Sequence, residues 1–306
     1  MYPYKVILDT DIGDDIDDAF ALALILVSRE FDLLGVTTVF KNTESRSRLA
    51  RTILKCAGKS NIPVTCGCGA VISTKIDLPF NPCEAYLNSE LHCQEKASLP
   101  EAELPSIDKR HGVDFIIDTV LQGNGDINII SIGPMTNIAM AIVKEPKIIK
   151  KIPKIISMSG VLDGRCSEWN IRLDPIAAEI VFKSDIPMDI VGLDVTSKME
   201  LPDVVTQLRA NQHPLIKKLL ETYELWKKLA GIQNGVPILH DPLAIETMIS
   251  PSIVKWHTGS VSVELNDTNY GFIHFDRSKG CNHRFAYEVD VNAALSLWLD
   301  RILSIS

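Results

Sequence analysis

The chain has 306 residues, 46% of them apolar and 23% charged, which excludes disorder as a description of the whole and suffices for a large core. Thirty-nine acidic against 31 basic side chains leave a net charge of −8, so a broad phosphate-binding surface, and with it a nucleic-acid polymer as partner, is not expected. The longest nearly uncharged stretch, residues 19–27, is too short to cross a bilayer, and no membrane association is expected.

In chain order, apolar runs alternate with helical patterns. Residues 5–8 read as a strand ending in acid, 17–29 as a helix, 33–40 as a β-branched strand, 44–57 as a helix stopped by Gly58, and 62–65 as a strand. From residue 67 to 110 the chain is rich in Pro, Ser, Asn and charge without a steady period, which suggests a functional loop or lid. The pattern resumes with helix 113–121, strand 127–132, helix 135–143, strand 154–158, a polar loop at 163–169, helix 175–183 and strand 188–191. Helices at 214–229 and 241–248, a β-rich segment at 259–289 and a last helix at 291–303 complete the chain. Such alternation predicts an α/β fold, an open and mostly parallel Rossmann-like sheet flanked by helices, with extra C-terminal helices and a small β-rich segment. No repeat or linker divides it, so residues 1–306 are expected to form one domain. The N-terminus lacks a basic region followed by an apolar one, and the seven cysteines are an odd number. Both suggest a cytoplasmic protein with reduced thiols. Cys66-Gly-Cys68 has no second close pair and does not read as a zinc site.

The informative segment runs from Val6 to Phe20. Asp9, Asp11, Asp14, Asp15, Asp17 and Asp18 place six carboxylates within ten residues, at the turn between a strand and a helix. A helix start accounts for one or two of them. Six crowded carboxylates repel one another, and a hard cation that takes oxygen ligands relieves the repulsion, Ca²⁺ or Mg²⁺ rather than zinc. An EF-hand fails, because counting from Asp9 its sixth and twelfth positions hold Asp14 and Phe20 instead of Gly and Glu. A haloacid-dehalogenase-type phosphatase would use Asp9 as nucleophile and Asp11 as acid/base, but Gly13 stands where that pattern wants Thr or Val.

Asp9-Thr-Asp11-Ile-Gly13 followed by Asp17-Asp18-Ala resembles the N-terminal signature of the inosine–uridine-preferring nucleoside hydrolase family. Gly133-Pro-Met-Thr-Asn137, Glu168-Trp-Asn170 with Asp174-Pro175, Val191-Gly-Leu-Asp-Val-Thr196 and His240-Asp241-Pro242 are similar to its other motifs and stand in the same order. The resemblance spans roughly residues 5 to 295. It implies the nucleoside hydrolase fold and Ca²⁺-dependent hydrolysis of the N-glycosidic bond of a small-molecule ribonucleoside to free base and ribose, by a homodimer or homotetramer. It implies Asp11, Asp18, Asp241 and the backbone carbonyl of Ile132 as metal ligands, and Asp11 as the base for the attacking water. Asp17, Asn42, Glu168 and Asn170 would hold ribose hydroxyls, Met158 would line the pocket beneath the sugar, and His240 would contact or protonate the departing base. Asn42 reads equally well as a helix cap and Met158 as core.

Three residues separate Gly13 from Asp17-Asp18 where better-known members have one, so Asp14 or Asp15 could stand in for Asp17. Lys41 replaces the usual Gly before Asn42 and would bring a cation near the sugar. The long loop lacks the family's Ile-His-Gly, His92 is no obvious substitute, and the Asn expected in the 163–167 loop is missing. Base preference therefore stays open, as does a related N-riboside. The competing readings are the phosphatase and a metal- or nucleoside-binding relative without turnover.

Overall fold

The computed structural model describes residues 3–73, 94–162, 164, 166–201, 204–229, 236–266, 268–278, 280 and 283–305. Its first half is built from strand–helix units: β1 Tyr4–Thr10, α1 Asp17–Val27, β2 Phe31–Thr38, α2 Thr43–Cys56, β3 Val64–Cys66, α3 Gly112–Gln122, β4 Ile127–Ser131, α4 Thr136–Lys144 and β5 Ile155–Met158. The chain continues through α5 Trp169–Leu173, α6 Pro175–Phe182, β6 Met188–Val191, α7 Leu193–Thr196, α8 Val204–Arg209, α9 Pro214–Leu229 and α10 His240–Ile249. It ends with β7 Val254–Val263, β8 Ile273–Asp276, β9 His283–Val289 and α11 Val291–Leu303.

The described strands form one nine-stranded sheet in the order β3-β2-β1-β4-β5-β6-β9-β7-β8. From β3 to β9 neighbouring strands are parallel, and β7 joins β9 and β8 antiparallel. A parallel sheet needs both faces covered, and alternate side chains divide between two cores accordingly. Val6, Leu8 and Ile130 pack with α1, α2, α9, α10 and α11, whereas Ile7 and Ile129 pack with α3, α4 and α6. Helix α1 is buried continuously from Asp17 to Ile25, which suits a helix held between the sheet and a second helical layer.

The sequence-based boundaries shift where local chemistry intervenes. The strand expected to reach residue 40 stops at Thr38, because Phe40 and Lys41 take left-handed backbone angles of φ 70 and 56. The strand expected at 62–65 starts only after Pro63, at Val64, since proline has no N–H for the ladder. Strand β7 begins at Val254, five residues before the expected 259. The five-residue helix α5 and the four-residue helix α7 are too short to leave a periodic signal. Most of the expected 67–110 loop lies outside the described residues. Its described end holds two short 3₁₀ turns, Gln94–Ala97 and Glu101–Glu103.

Candidate active site

Strands β2 and β4 flank β1, and the chain winds away from β1 in opposite directions on its two sides. The connections leaving the carboxyl ends of β1 and β4 therefore run to opposite sides beyond their first residues and leave a crevice above them, where ligands of open α/β sheets gather. Asp11 follows β1 and Gly133 follows β4 at that point. A Cβ on Gly133 would lie 2.8 Å from Asp11 Oδ1 and 2.9 Å from its backbone nitrogen, so the close approach of the two loops requires glycine. The cavity above them measures about 550 Å³ and is lined by Asp11, Asp17, Asp18 and Asp241 among others.

Three of these carboxylates meet. Asp17, Asp18 and Asp241 each offer an oxygen within 4.8 Å of the others, and all three are buried. Asp17 and Asp18 open α1, and Asp241 lies in the first turn of α10. Two helix N-termini thus point at one acidic cluster, and their dipoles favour the negative charge. The Asp241 N–H donates to Asp17 Oδ2 at 3.2 Å, and the Thr10 hydroxyl donates to Asp18. Burial raises the pKa of all three well above the carboxylate range, and repulsion among them and from Asp11 adds to it. Asp11 is pushed up to about 7, also chiefly by burial, with Arg46 and Lys41 pulling down and Asp14 pushing up. Buried carboxylates that cannot all ionise together, with only oxygen donors, fit a hard divalent cation.

Asp14 also lines the cavity, but two cations engage it. Arg46, fully buried at the start of α2, lies 3.0 Å from Asp14 Oδ2 through Nη2, and Lys41 Nζ lies 3.5 Å from the same oxygen. Arg46 also donates to the carbonyls of Phe40 (2.6 Å), Ile12 (3.0 Å) and Asp11, and so ties the acidic turn to the loop after β2. The cation expected near the sugar is thus engaged with Asp14. Lys41 takes a left-handed φ of 56, a conformation that costs a side chain bearing a Cβ more than it would cost glycine. Asp15 is exposed at the cavity mouth, where its Oδ1 accepts from the Ile16 N–H.

Ile132, Met158, Glu168 and Asn170 also line the cavity. Met158 is both buried and part of this lining. Asn170 Nδ2 donates to the carbonyls of Ile132 (3.0 Å) and Met158 (3.1 Å), which leaves its Oδ1 as an acceptor. Glu168 caps α5: Oε1 accepts from the Asn170 N–H, and Oε2 accepts from the N–H groups of Gly160 and Ile171. Asn42 is absent from the cavity wall. It caps α2, its Oδ1 accepting from Ser45 N–H at 3.0 Å.

The remaining lining combines residues inside the sequence motifs, Trp169, Leu193 and His240, with Ser167, Arg172 and Trp226, which belong to none. Burial lowers the His240 pKa to about 4, so the ring is neutral at pH 7, and its Nδ1 lies 2.8 Å from Thr196 Oγ1. Trp169 lines the cavity and is 44% exposed, so its ring is accessible to a ligand there. Gln94 donates to the carbonyl of Asp15 at 2.9 Å and so fastens the described end of the long loop to the acidic turn. His92 and the loop positions Asp163 and Arg165 lie outside the described residues.

Asp9, the nucleophile of the phosphatase reading, is fully buried and absent from the cavity wall. Its Oδ1 accepts from Asn137 Nδ2 at 2.7 Å and from the Thr37 hydroxyl. That placement disfavours the phosphatase, since a nucleophile must reach its substrate.

Residues 6–296 match the family described as inosine-uridine preferring nucleoside hydrolase. The inosine-uridine preferring nucleoside hydrolase of Leishmania major is 30% identical over 98% of both chains. The pyrimidine-specific ribonucleoside hydrolase of Escherichia coli is 30% identical over 87% of this chain and 85% of its own. Among solved structures, the purine-preferring ribonucleoside hydrolase of Gardnerella vaginalis superposes with a TM-score of 0.83 at 30% identity over 98% of both chains.

Proposed function

Since the chain belongs to the inosine-uridine preferring nucleoside hydrolase family and is a hydrolase of N-glycosyl bonds in ribonucleosides, we propose that it is Ca²⁺-dependent and that Asp11 is its catalytic base. The observation carrying this reading is the meeting of Asp17, Asp18 and Asp241 beside Asp11 at the strand ends. Asp11, Asp18, Asp241 and the Ile132 carbonyl would hold the ion. When bound, it neutralises the crowded carboxylates and makes a neighbouring water a better acid. Phosphatase chemistry is set aside with Asp9.

In this reading Asp17, Glu168 and Asn170 orient the ribose by its hydroxyls, with Met158 beneath the ring. Asp11 takes a proton from the water that attacks C1′. The glycosidic C–N bond breaks as the new C–O bond forms, through a sugar bearing positive charge that the surrounding carboxylates stabilise. The bonding electrons leave with the base, which His240 meets as a hydrogen-bond donor, and ribose is released. Asn42 keeps its helix cap. The relatives named above differ in base preference, so inosine, uridine and other ribonucleosides all belong in the test. We take residues 1–306 as one domain in a homo-oligomer. A cytoplasmic setting is supported by the free thiols of Cys56, Cys66, Cys68 and Cys166.

Ribose release from such a panel is expected to stop after chelation with EDTA, to return with CaCl₂ and to be absent in Asp241→Ala. Turnover that persists after chelation, or in Asp241→Ala, overturns the calcium assignment.

A further inference from the structure

His240 can act on a departing base only if its ring presents a proton to the cavity, and the structure contains a device for that. Thr196 ends the short helix α7 that follows β6, and its side chain is fully buried. Its backbone is already satisfied, with N–H donating to the Gly192 carbonyl at 3.1 Å and carbonyl accepting from Met199 N–H at 3.0 Å. Among the described residues its hydroxyl meets one side-chain partner, His240 Nδ1, at 2.8 Å.

A buried hydroxyl that accepted from Nδ1–H would leave its own proton without an acceptor, which is costly away from water. The economical arrangement is the reverse: Thr196 Oγ1–H donates to Nδ1, and the ring carries its proton on Nε2. His240 opens α10 and lines the cavity with Leu193 and Trp226. With Nδ1 held by Thr196 in the wall, Nε2–H is the donor left for a ligand.

Resting on the proposed N-riboside hydrolysis, we propose that Thr196 is a positioning residue that sets His240 as an Nε2–H donor to the leaving group. The site is then built for ribosides whose departing group is a poor leaving group with an acceptor lone pair, a heterocyclic base. A riboside with an already good leaving group has no need of this hydrogen bond.

The test compares Thr196→Val, which keeps the shape and loses the hydroxyl, with Thr196→Ser, which keeps the hydroxyl. Thr196→Val is expected to lower kcat on ribonucleosides about tenfold or more, with KM little changed. Its cleavage of p-nitrophenyl β-ribofuranoside should stay near wild type, and Thr196→Ser should restore the nucleoside rate. Equal loss on both substrates, or loss on neither, overturns the proposal. A readout independent of turnover is the nitrogen NMR of the His240 ring, assigned by its disappearance in His240→Phe. A protonated Nε2 and bare Nδ1 in the wild type, lost in Thr196→Val, is expected. A proton found on Nδ1 overturns the role of Thr196 even if nucleosides are cleaved. Failure of wild type to cleave any riboside strikes the hydrolase reading instead, and the ring spectrum still decides the tautomer.

Discussion

A single arginine organises the acidic turn. Arg46 has no exposed surface, and its guanidinium reaches Asp14 and the carbonyls of Asp11, Ile12 and Phe40. A planar fork with five donors suits this task, and a lysine could not span it. Its charge also lowers the pKa of Asp11 and Asp18 against the burial that raises them. Arg46→Met therefore leaves Asp14 without its closest cation and frees three carbonyls, and is expected to cost about 3–5 kcal/mol. Urea unfolding measures this, and adding Asp14→Asn should recover part of the loss. If the single variant unfolds at the wild-type midpoint, the turn is held by something else.

At the scale of elements, α10 carries function at one end and a liability in its middle. Its N-terminus brings His240 and Asp241 to the cavity, and the helix packs along α1, which brings Asp17 and Asp18. Further along the helix, Glu246 is fully buried, and neither carboxyl oxygen has a hydrogen-bond partner among the described residues. Burial raises its pKa well above the usual carboxylate value, so it is protonated in the folded protein at pH values where the unfolded chain ionises. A raised carboxyl pKa contributes stability at low pH that is lost as pH rises from the unfolded value through the folded one. Glu246→Met, of similar volume and without polar atoms, is expected to stabilise the fold by about 1–3 kcal/mol. The gain should be small near pH 4 and grow toward pH 8 in denaturant melts at the two values. A gain independent of pH would place the cause elsewhere than in the carboxyl proton.

The same linkage acts on the whole molecule through the acidic cluster. Asp9 and Asp11, both raised to about 7, and Asp17, Asp18 and Asp241, raised well above the usual carboxylate range by burial, all favour a proton in the metal-free folded state that the unfolded chain releases above about pH 4. Stability of the metal-free protein should therefore fall as pH rises from 5 to 8. Added CaCl₂ should reverse the trend, because it binds the ionised cluster of the folded state, contributing about 2.7 kcal/mol at a hundredfold excess over Kd. Calorimetric Tm with EDTA and with CaCl₂ at both pH values tests this. A Tm that rises with pH in EDTA, or one indifferent to calcium at pH 8, would contradict it.

Much was legible in the sequence, because periodicity and acid crowding are local properties. Strand–helix alternation specified a parallel sheet with both faces covered, and the crowding of Asp9 to Asp18 at one strand end marked the site. Local order could not say which acids would converge. Asp14 and Asp17 are three positions apart and look alike in sequence. Only the packing of α2 against the turn gives Asp14 to Arg46, and only the packing of α10 against α1 brings Asp241 beside Asp17 and Asp18. The sequence offered two meanings for Asn42, and the structure shows the helix cap, its Oδ1 accepting from Ser45 N–H at the start of α2. Trp226, Arg172 and the Thr196–His240 contact stayed hidden, since tertiary packing decides which of them reach the cavity or each other. The chain by itself determined the layers and the address of the acid. The tertiary structure decided which carboxylates share a site, because that depends on which helix N-termini the packing aims at one point.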